Sequence, residues 1–492
     1  MPDTTFLQGL KHEASSKAFF DANSGEWWTR AQLADRVARF VERLQFPRKA
    51  LGFHFAHEDA AGLVGYMAAL ESGHAVVMLD PNLDDVFKSK LIARFQPDFL
   101  IAPADQCPDA GSDYSAAPSP EANQVILRAR NPHRHEIHPD LTLLISTSGS
   151  TGSPKLVRLT WRNLLAVAGQ INAALRNTAQ DRTMVTAPIF NAYGQSVIHT
   201  HLLVGGSFVL SRERIVSRGF WDAVRESGCN SIGGTPYFYQ VLDRLDLDSL
   251  NVPLLKKFVA TGGRLPEHLA RKFHFEAVKR GGTMNLMYGQ AEATARMTAL
   301  APELLPEAAR SIGSVIPPGR MSIELNGVEC APHEEGELIY RGFGVMMGYA
   351  IEPADLALGD QLGGRLATGD LGYRDENGLF FITGRKARFA KLFGWRVSLD
   401  DVEEILSSTG RVAAVNEQDR VVIFTERHNA VFDAAMADLA TRLRIHPSAF
   451  EVRQVPAIPV LASGKTDYRS LVAAFERPPA QGAVAAAGLL RE

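Results

Sequence analysis

The segment that most constrains the fold is a short apolar stretch that runs into a loop of glycines, hydroxyl residues and a lysine. Residues 141–146 have the character of a buried strand, and Thr-Ser-Gly-Ser-Thr-Gly-Ser-Pro-Lys follows at residues 147–155. A second strand is predicted at residues 156–159. Thr160 is suited to cap a helix over residues 161–175. This order of elements is typical of layered α/β folds.

The loop at residues 147–155 has the composition of an anion-binding site. Glycine permits positive φ angles, so successive backbone N–H groups can point towards one anion. The hydroxyl groups can donate hydrogen bonds to phosphate oxygens, and Lys155 adds a positive charge. The loop is not a Walker A motif, because Pro154 stands where that motif has glycine. Taken alone, the segment also fits a polar loop without a ligand.

Length and composition indicate a globular protein of several structural units. A chain of 492 residues predicts two to four units, and 46% hydrophobic with 22% charged residues excludes a largely disordered chain. A net charge of −3 argues against nucleic acid as a partner. The longest apolar stretch, residues 60–79, is interrupted by Glu71 and His74. With no signal sequence at the start, no membrane span and a cytoplasmic location are expected.

Helix and strand patterns alternate along the first 300 residues. Residues 29–44 predict an amphipathic helix with a capping box, and residues 75–79 and 99–102 predict buried strands. Residues 103–140 are rich in Pro, Ala, Ser and Asp, which predicts an exposed connection.

The last third of the sequence has a different residue pattern. Beyond residue 312 it is rich in strand and turn signals, which predicts a small β-rich subdomain. After residue 384 the pattern is that of a compact α+β unit, with a frayed tail from about residue 478. The predicted fold is therefore α/β. A large N-terminal domain of layered α/β subdomains and the β-rich subdomain spans residues 1–383, and a small α+β domain spans residues 384–492.

Five separated motifs occur in a distinctive order. They are the loop at 147–155, Tyr-Gly-Gln-Ala-Glu at 288–292, Thr-Gly-Asp at 368–370, Gly-Arg at 384–385 followed by Lys-Leu-Phe-Gly-Trp-Arg at 391–396, and Ser-Gly-Lys-Thr-Asp at 463–467. Together they resemble the adenylate-forming superfamily of acyl-CoA synthetases, peptide-synthetase adenylation domains and luciferases. The resemblance covers residues 25–475. It implies a stand-alone, AMP-forming acid–thiol ligase that uses ATP and Mg²⁺ and has a mobile C-terminal domain.

The resemblance implies a role for each motif. Glu292 is expected to hold Mg²⁺, which offsets phosphate charge, and Asp370 is expected to bind the ribose hydroxyls. Arg385 would clamp ribose or phosphate, and Tyr288 offers a flat face to adenine. Lys465 would reach the carboxylate and the α-phosphate from the small domain. The predicted catalytic residues are Lys465, Arg385 and Glu292, with Glu292 as metal ligand, and the predicted nucleotide-binding residues are Thr147, Ser148, Gly149, Ser150, Thr151, Gly152, Lys155, Gly263, Arg264, Tyr288, Gly289, Gln290, Asp370 and Arg385.

Three positions depart from the family pattern. Ala291 replaces the usual Thr, which removes one hydroxyl contact to phosphate worth about 0.5–1.5 kcal/mol. Leu156 replaces the glycine that commonly follows the loop lysine. Ala387 stands where the family usually has a hinge Asp, a kind of position that tolerates varied residues.

The acid pocket is expected near residues 183–210, a stretch that contains no Asp, Glu, Lys or Arg. Amino-acid-activating relatives usually place an Asp early in it, where this chain has Asn191. A buried ammonium without a carboxylate partner is costly, so an uncharged acyl or aryl acid is favoured over an amino acid. The predicted pocket residues are Asn191, Tyr193, Gly194, Tyr237, Gly262 and Met287.

The predicted reaction is ATP-dependent activation of a small-molecule carboxylic acid to an acyl-adenylate, with release of pyrophosphate. The acyl group then passes to a thiol, either of CoA or of the phosphopantetheine arm of a separate acyl or peptidyl carrier protein, and the sequence leaves this choice open. A stand-alone amino-acid-activating enzyme, a luciferase-like oxidase and a non-catalytic nucleotide-binding protein are the alternatives. Retention of Lys155, Glu292 and Asp370 argues against the last of these.

Overall fold

The described residues of the computed structural model form two compact units. The structure describes residues 6, 13–132, 134–146, 155–386, 388–392, 395–417, 420–443, 445–461 and 464–476. The first unit runs to Lys386 and takes in Gly464, and the second comprises the segment up to Leu461 and the chain from Lys465 onwards.

Strands and helices alternate along most of the chain. The strands are β1 (Lys17–Asp21), β2 (Glu26–Thr29), β3 (Leu51–Phe55), β4 (Ala75–Leu79), β5 (Phe99–Pro103), β6 (Tyr114–Ala117), β7 (Gln124–Ala129), β8 (Leu141–Ser146), β9 (Leu156–Thr160), β10 (Arg182–Met184), β11 (Ser207–Leu210), β12 (Ser231–Gly234), β13 (Lys257–Ala260), β14 (Thr283–Tyr288), β15 (Thr298–Leu300), β16 (Ser314–Val315), β17 (Arg320–Leu325), β18 (Val328–Glu329), β19 (Gly336–Arg341), β20 (Gly348–Ala350), β21 (Arg365–Arg374), β22 (Phe380–Arg385), β23 (Phe389–Leu392), β24 (Trp395–Ser398), β25 (Val412–Glu417), β26 (Arg420–Thr425) and β27 (Phe450–Gln454). The α-helices are α1 (Arg30–Val41), α2 (Ala60–Glu71), α3 (Asp85–Phe95), α4 (Trp161–Leu175), α5 (Ala192–Val204), α6 (Arg218–Ser227), α7 (Pro236–Leu242), α8 (Glu267–Lys279), α9 (Leu305–Ala308), α10 (Leu399–Leu406), α11 (Ala430–Leu443) and α12 (Tyr468–Glu476).

The first sheet has a parallel centre that determines where a ligand can bind. Its order is β16-β15-β14-β13-β12-β10-β11-β1-β2, and the neighbours from β14 through β1 pair in parallel. The carboxyl ends of these strands therefore meet at one edge of the sheet. In open α/β sheets ligands bind outside this edge.

The second sheet corrects one prediction from the sequence. Its order is β20-β9-β8-β4-β3-β5-β7-β6, with β6 and β7 added antiparallel beyond β5. Residues 103–140 were expected to form an exposed connection, which is wrong for Tyr114–Ala117 and Gln124–Ala129. These strands are short and only partly buried, so they lack the continuous apolar run that marks the central strands.

The β-rich subdomain is an antiparallel sheet of order β18-β17-β19-β21-β22. In the β21–β22 pair, Asp370 stands opposite Arg385. Residues opposite each other in an antiparallel pair have adjacent side chains. This register therefore brings together two predicted nucleotide-binding residues that are 15 positions apart in sequence.

The second unit has its own apolar core. It contains the β23–β24 hairpin and the sheet β25-β26-β27, and helices α10 and α11 pack on a core that includes Val402, Leu406, Ile423 and Phe432. A buried network lies at its start. Arg388 donates to Glu403 at 2.7 Å, and the Tyr468 hydroxyl donates to the same carboxylate at 2.9 Å.

Most sequence-predicted elements have the bounds expected from their patterns. The helix after Thr160 spans Trp161–Leu175 and begins with a capping box, and so does Arg30–Val41 after Thr29. The predicted α/β fold class is confirmed. Among the described helices, none combines the length and the apolar character that a membrane crossing requires.

Candidate active site

A buried carboxylate organises one corner of the first unit. The Asp370 side chain is almost fully buried, and its Oδ1 accepts a hydrogen bond of 2.8 Å from Nε of Arg385. The Arg385 side chain itself is 57% exposed. The buried acid therefore holds an arginine whose side chain is largely exposed.

Tyr288 completes this corner from the first sheet. It ends β14, and its hydroxyl donates to Oδ2 of Asp370 at 2.5 Å. Burial and the neighbouring Asp370 charge raise the pKa of Tyr288 well above its usual range, so the hydroxyl remains a donor. Three predicted nucleotide-binding residues from separate segments thus form one cluster, the nucleotide corner: Tyr288, Asp370 and Arg385.

Further predicted nucleotide residues follow neighbouring parallel strands. Gly263 and Arg264 lie in the turn after β13, next to the predicted acid-pocket residue Gly262, and Gly289 and Gln290 come directly after β14. Gly262 has a φ angle of +81°, and Gly263 and Arg264 are exposed. The predicted residues therefore line the carboxyl-end edge of the sheet.

Packing requires a glycine at position 289, in addition to the nucleotide-binding role expected for Gly289. A Cβ atom at this position would lie 1.8 Å from the carbonyl oxygen of Ala295. The chain after β14 folds back tightly here to start β15, where Met297 N–H donates to the Tyr288 carbonyl at 2.8 Å. Only glycine fits this close approach.

Glu292 is held by a tyrosine that sequence analysis missed. Tyr349 in β20 donates from its hydroxyl to Oε1 of Glu292 at 2.7 Å, and Nζ of Lys155 lies 5.5 Å from the centre of the Tyr349 ring. Burial and the Glu292 charge raise the pKa of Tyr349 above its usual range. Because β20 pairs with β9, with Tyr349 opposite Val157, Tyr349 lies near Lys155. The segment just before β20 is tied to Glu292, since Met346 N–H donates to the Glu292 carbonyl at 2.9 Å. Nothing in the sequence around Tyr349 distinguishes it from a core strand residue.

The donor set at Glu292 suits Mg²⁺. This cation is commonly held by one or two carboxylates and completes its shell with water and substrate phosphate. The described residues contain no group of three or more His, Cys, Asp or Glu side chains that could enclose a metal ion. A single positioned carboxylate fits a metal that arrives with the nucleotide.

The predicted phosphate loop lies outside the described residues, from Thr147 to Pro154. Its flanking strands are as expected, since β8 ends at Ser146 and β9 begins at Leu156. Lys155 lies between them and is exposed. Ala291, the departure from the family pattern, is partly buried and presents a methyl group where relatives have a hydroxyl.

The predicted acid-pocket residues fall into two groups. Asn191 precedes α5, Tyr193 and Gly194 lie in its first turn, and Tyr193 lies so close to β12 that its hydroxyl is 2.4 Å from the position of a Cβ on Gly233. Tyr237 is 39% exposed. Met287 packs with Val167, Val259 and Ile316 in an apolar cluster, so its environment is that of a core residue.

Two buried polar residues next to Tyr193 were not predicted. The guanidinium of Arg296 lies 5.0 Å from the centre of the Tyr193 ring, and Arg296 is 2% exposed. Gln195 is also 2% exposed and lines a small cavity with Ala192 and Thr294. We name Tyr193, Gln195 and Arg296 the acid corner. Arg296 was missed because it follows the Tyr-Gly-Gln-Ala-Glu motif rather than lying in residues 183–210. The signal for Arg296 available in the sequence was a single arginine within the apolar segment that leads into β15.

Lys465 lies in a tight turn of the second unit and is exposed. Leu461 N–H donates to the Lys465 carbonyl at 2.8 Å, and Val460 and Thr466 form a β-bridge. The Lys386 and Arg388 side chains on either side of Ala387 are anchored within separate units. Lys386 pairs with Glu337 in the first, at 2.8 Å, and Arg388 pairs with Glu403 in the second. Ala387 itself lies outside the described residues.

Fold and site together define an enzyme of the adenylate-forming class. The model of the AMP-binding enzyme family matches residues 8–350, and the chain therefore belongs to this family. It is 26% identical over 398 residues to a 2-succinylbenzoate–CoA ligase of Bacillus pumilus, covering 78% of each chain. It is 24% identical over 476 residues to a D-alanine–D-alanyl carrier protein ligase of Bacillus licheniformis, covering 91% of this chain and 93% of the relative.

Solved structures share the whole fold. The o-succinylbenzoate–CoA synthetase of Bacillus subtilis with its acyl-adenylate intermediate has a TM-score of 0.75 at 20% identity, covering 95% of this chain and 97% of that one. The same enzyme with ATP and a magnesium ion has a TM-score of 0.74 at 21% identity, covering 94% and 97%. The predicted family and enzyme class are confirmed: the chain is an AMP-forming acid–thiol ligase.

Proposed function

We propose that this enzyme activates a carboxylic acid without an ammonium group and passes the acyl-adenylate to a thiol, with the two corners of the first unit holding nucleotide and acid. The observation that carries the proposal is the cluster of Tyr288, Asp370 and Arg385 at the carboxyl-end edge of the sheet. A buried carboxylate with two fixed donors and a largely exposed arginine suits a polyhydroxylated, anionic ligand such as a ribose phosphate.

The residues of the nucleotide corner would each bind a different part of ATP. Asp370 retains acceptor capacity on both oxygens after its two protein hydrogen bonds, which suits the paired hydroxyls of a ribose. The Arg385 guanidinium suits ribose or phosphate oxygens. The backbone at Gly263 and the ring of Tyr288 would take the adenine.

The reaction joins two anions, so charge must be offset where they meet. Glu292, oriented by Tyr349, would hold Mg²⁺, which supplies positive charge against the phosphate oxygens. Lys155 adds a cation at the base of the predicted phosphate loop. The carboxylate oxygen of the acid then attacks the α-phosphorus, and pyrophosphate leaves.

Lys465 is proposed to supply the last positive charge for adenylation from the second unit. In the second step a thiol attacks the carbonyl carbon and AMP leaves, and a different face of the small unit would serve this step. The anchored side chains of Lys386 and Arg388 support Ala387 as the pivot between the two arrangements, because they restrict rotation to the single residue between them.

The acid is proposed to lack an ammonium group because, among the described residues, no carboxylate forms a hydrogen bond or ion pair with Asn191 or Tyr193. Glu58 approaches the backbone of this stretch, where its Oε1 accepts from the N–H of Ile189 at 3.1 Å. CoA and a carrier-borne phosphopantetheine remain equivalent acceptors in this proposal, which also includes a cytoplasmic location.

The test is ATP–pyrophosphate exchange with the purified full chain over fatty, aryl, dicarboxylic and α-amino acids. The proposal expects exchange with at least one acid that lacks an amino group. A clear preference for an α-amino acid would reject the acid assignment. Silence with every acid, in a folded protein that binds ATP, would favour a non-catalytic nucleotide-binding protein.

A further inference from the structure

Arg296 is a buried cation without a counter-ion in the described part of the chain. It forms no ion pair with a carboxylate there, and its Nε has no hydrogen-bond partner. Its contact is the neutral ring of Tyr193. The neighbouring His201 is also neutral at pH 7, because burial lowers its pKa to about 4.

Two other deeply buried arginines show how this chain normally satisfies such a group. Arg30 donates to the carbonyl of Gly206 at 2.5 Å. Arg158, whose Nε also lacks a partner, donates from its terminal nitrogens to the carbonyl of Met347 at 3.2 Å and to Gln361 at 2.7 Å. Apart from Tyr193, no acceptor for Arg296 is found among the described residues. A buried charge that lacks such partners destabilises the folded protein, so a ligand that supplies the acceptor is a physical explanation for its retention.

The surroundings of Arg296 point to the acid rather than to the nucleotide. Tyr193 lies in the first turn of α5, directly after the predicted acid-pocket residue Asn191. Thr294, two residues before Arg296, lines a small cavity with Gln195, two residues after Tyr193. Both amide atoms of Gln195 are buried without a hydrogen-bond partner among the described residues. Residues two positions apart in a helix point to different sides, so Gln195 does not share the contact between Tyr193 and Arg296. The unsatisfied cation of the acid corner is therefore Arg296 alone.

We propose that the acid activated by this enzyme carries a second anionic group, a carboxylate or a sulfonate, which binds to Arg296. This inference rests on the proposed function and names its substrate class. A guanidinium binds such a group through two parallel N–H donors, and the Tyr193 ring would cover the pair from water. Residues 183–210 contribute no charge, so the cation that selects the substrate comes from the chain after β14.

The inference predicts a large preference between matched acids. Glutarate and pentanoate differ in one terminal carboxylate, as do homophthalate and phenylacetate, and sulfoacetate tests a sulfonate. A neutral acid would leave Arg296 buried and unpaired, so the wild-type kcat/KM in pyrophosphate exchange should favour at least one dianion over its neutral partner by about 100-fold or more.

Arg296→Gln should abolish this preference and leave KM for ATP unchanged. Arg320→Gln, at an exposed arginine of β17, is the matched control and should keep the preference. If Arg296→Gln does not fold, Arg296→Lys is the substitute and is expected to reduce the preference, because an ammonium lacks the two parallel donors of a guanidinium. A wild-type enzyme that activates neutral partners as well as every dianion overturns the inference but not the proposed function. An Arg296→Gln variant that keeps the preference also overturns the inference but not the proposed function.

A binding measurement separates this inference from the proposed function. Glutarate, homophthalate and sulfoacetate are added to the wild-type chain with ATP and Mg²⁺, and thermal unfolding is followed. At least one should raise the unfolding temperature of the wild type but not of Arg296→Gln, even if no acid supports exchange. The absence of any shift in the wild type, or an equal shift in both proteins, overturns the inference.

Discussion

The nucleotide corner and the acid corner differ in how they satisfy their charged groups. In the nucleotide corner the Asp370 carboxylate is neutralised and hydrogen-bonded by Tyr288 and Arg385. In the acid corner Arg296 has a neutral aromatic ring and Gln195 has no hydrogen-bond partner among the described residues. Tyr288 and Arg296 lie on either side of the turn at Gly289, after the same strand β14, so the two corners are neighbours in the fold.

The difference shows which part of the site has its charged groups satisfied by the protein before substrate binds. ATP is the same for every enzyme of this class, so its binding groups are preorganised by each other. The acid varies between relatives, and groups that select it are satisfied only when it is bound. Such unsatisfied polar groups destabilise the free protein and discriminate strongly between ligands.

The largest expected effect comes from a residue outside both corners. Lys465→Ala should lower the rate of pyrophosphate exchange by about 10²–10³-fold, because it removes a cation aimed at charge that develops during adenylation. Transfer of a supplied acyl-adenylate to thiol should persist. Arg469→Ala, at an exposed cation of the same unit, is the control. Equal loss of both half-reactions would argue against two arrangements of the small unit.

Asp370→Ala tests whether the nucleotide corner acts independently of the acid corner. It leaves the Tyr288 hydroxyl and Arg385 without their acceptor, and we expect KM for ATP to rise by about 50-fold. The apparent KM for the acid should change little. Asp375→Ala is the control, because Asp375 caps a turn of the same subdomain by accepting from Asn377 and Leu379. If Asp370→Ala shifted both KM values equally, the two corners would not be separable.

The pH dependence of stability offers another test of the comparison. Glu58, near the acid corner, is a second buried ionisable group whose charge is poorly stabilised. Burial, with smaller contributions from the charges of Asp80 and Asp59, raises its pKa from 4.5 to about 7. Stability from protonated Glu58 is therefore fully present below pH 4.5 and is lost as the pH rises through 7. Glu58→Gln should be more stable than the wild type at pH 8, by at most about 3 kcal/mol, and similar at pH 4.5.

Urea unfolding at several pH values measures this difference. Glu42→Gln, at an exposed glutamate, provides the control and should follow the wild-type curve at every pH. Parallel curves for Glu58→Gln and the wild type would mean that Glu58 ionises normally in the folded protein.

The smallest expected effect concerns the tyrosine that orients Glu292. Tyr349→Phe removes one hydrogen bond, worth about 0.5–1.5 kcal/mol, so exchange should slow by about 2- to 10-fold. The Mg²⁺ concentration for half-maximal rate should rise at the same time. Tyr373→Phe, at a tyrosine whose ring packs on Phe381, should change neither value. A slower rate with unchanged Mg²⁺ dependence would separate Tyr349 from the metal.

The sequence predicted the fold class and the nucleotide corner because both depend on local patterns. Strands such as Leu141–Ser146 are continuous apolar runs, and the Tyr288 and Asp370 motifs occur in a recognisable order. The pairing of Asp370 with Arg385 follows from strand register, which becomes visible only when β21 and β22 are paired.

The rest of the site could not be predicted from the sequence, because it depends on contacts between segments that are distant in the chain. Tyr349 contacts Glu292 across 57 positions of sequence. Arg296 contacts Tyr193 only because the chain folds back at Gly289. Tyr349 carries no local signal for its role, and the lone arginine before β15 is a signal that does not name its partner. The edge strands Tyr114–Ala117 and Gln124–Ala129 were missed for the same reason, since tertiary pairing outweighs a turn-like composition.

The most direct test of the central claim follows oxygen from the acid. The best substrate of the exchange panel is labelled with ¹⁸O in both oxygens of its reacting carboxylate and converted to thioester with ATP and CoA or a phosphopantetheine-bearing carrier. If the carboxylate attacks the α-phosphorus, each AMP formed carries one ¹⁸O atom and pyrophosphate carries none. Label in inorganic phosphate or pyrophosphate, or unlabelled AMP accompanying labelled thioester product, would contradict acyl-adenylate formation at this site.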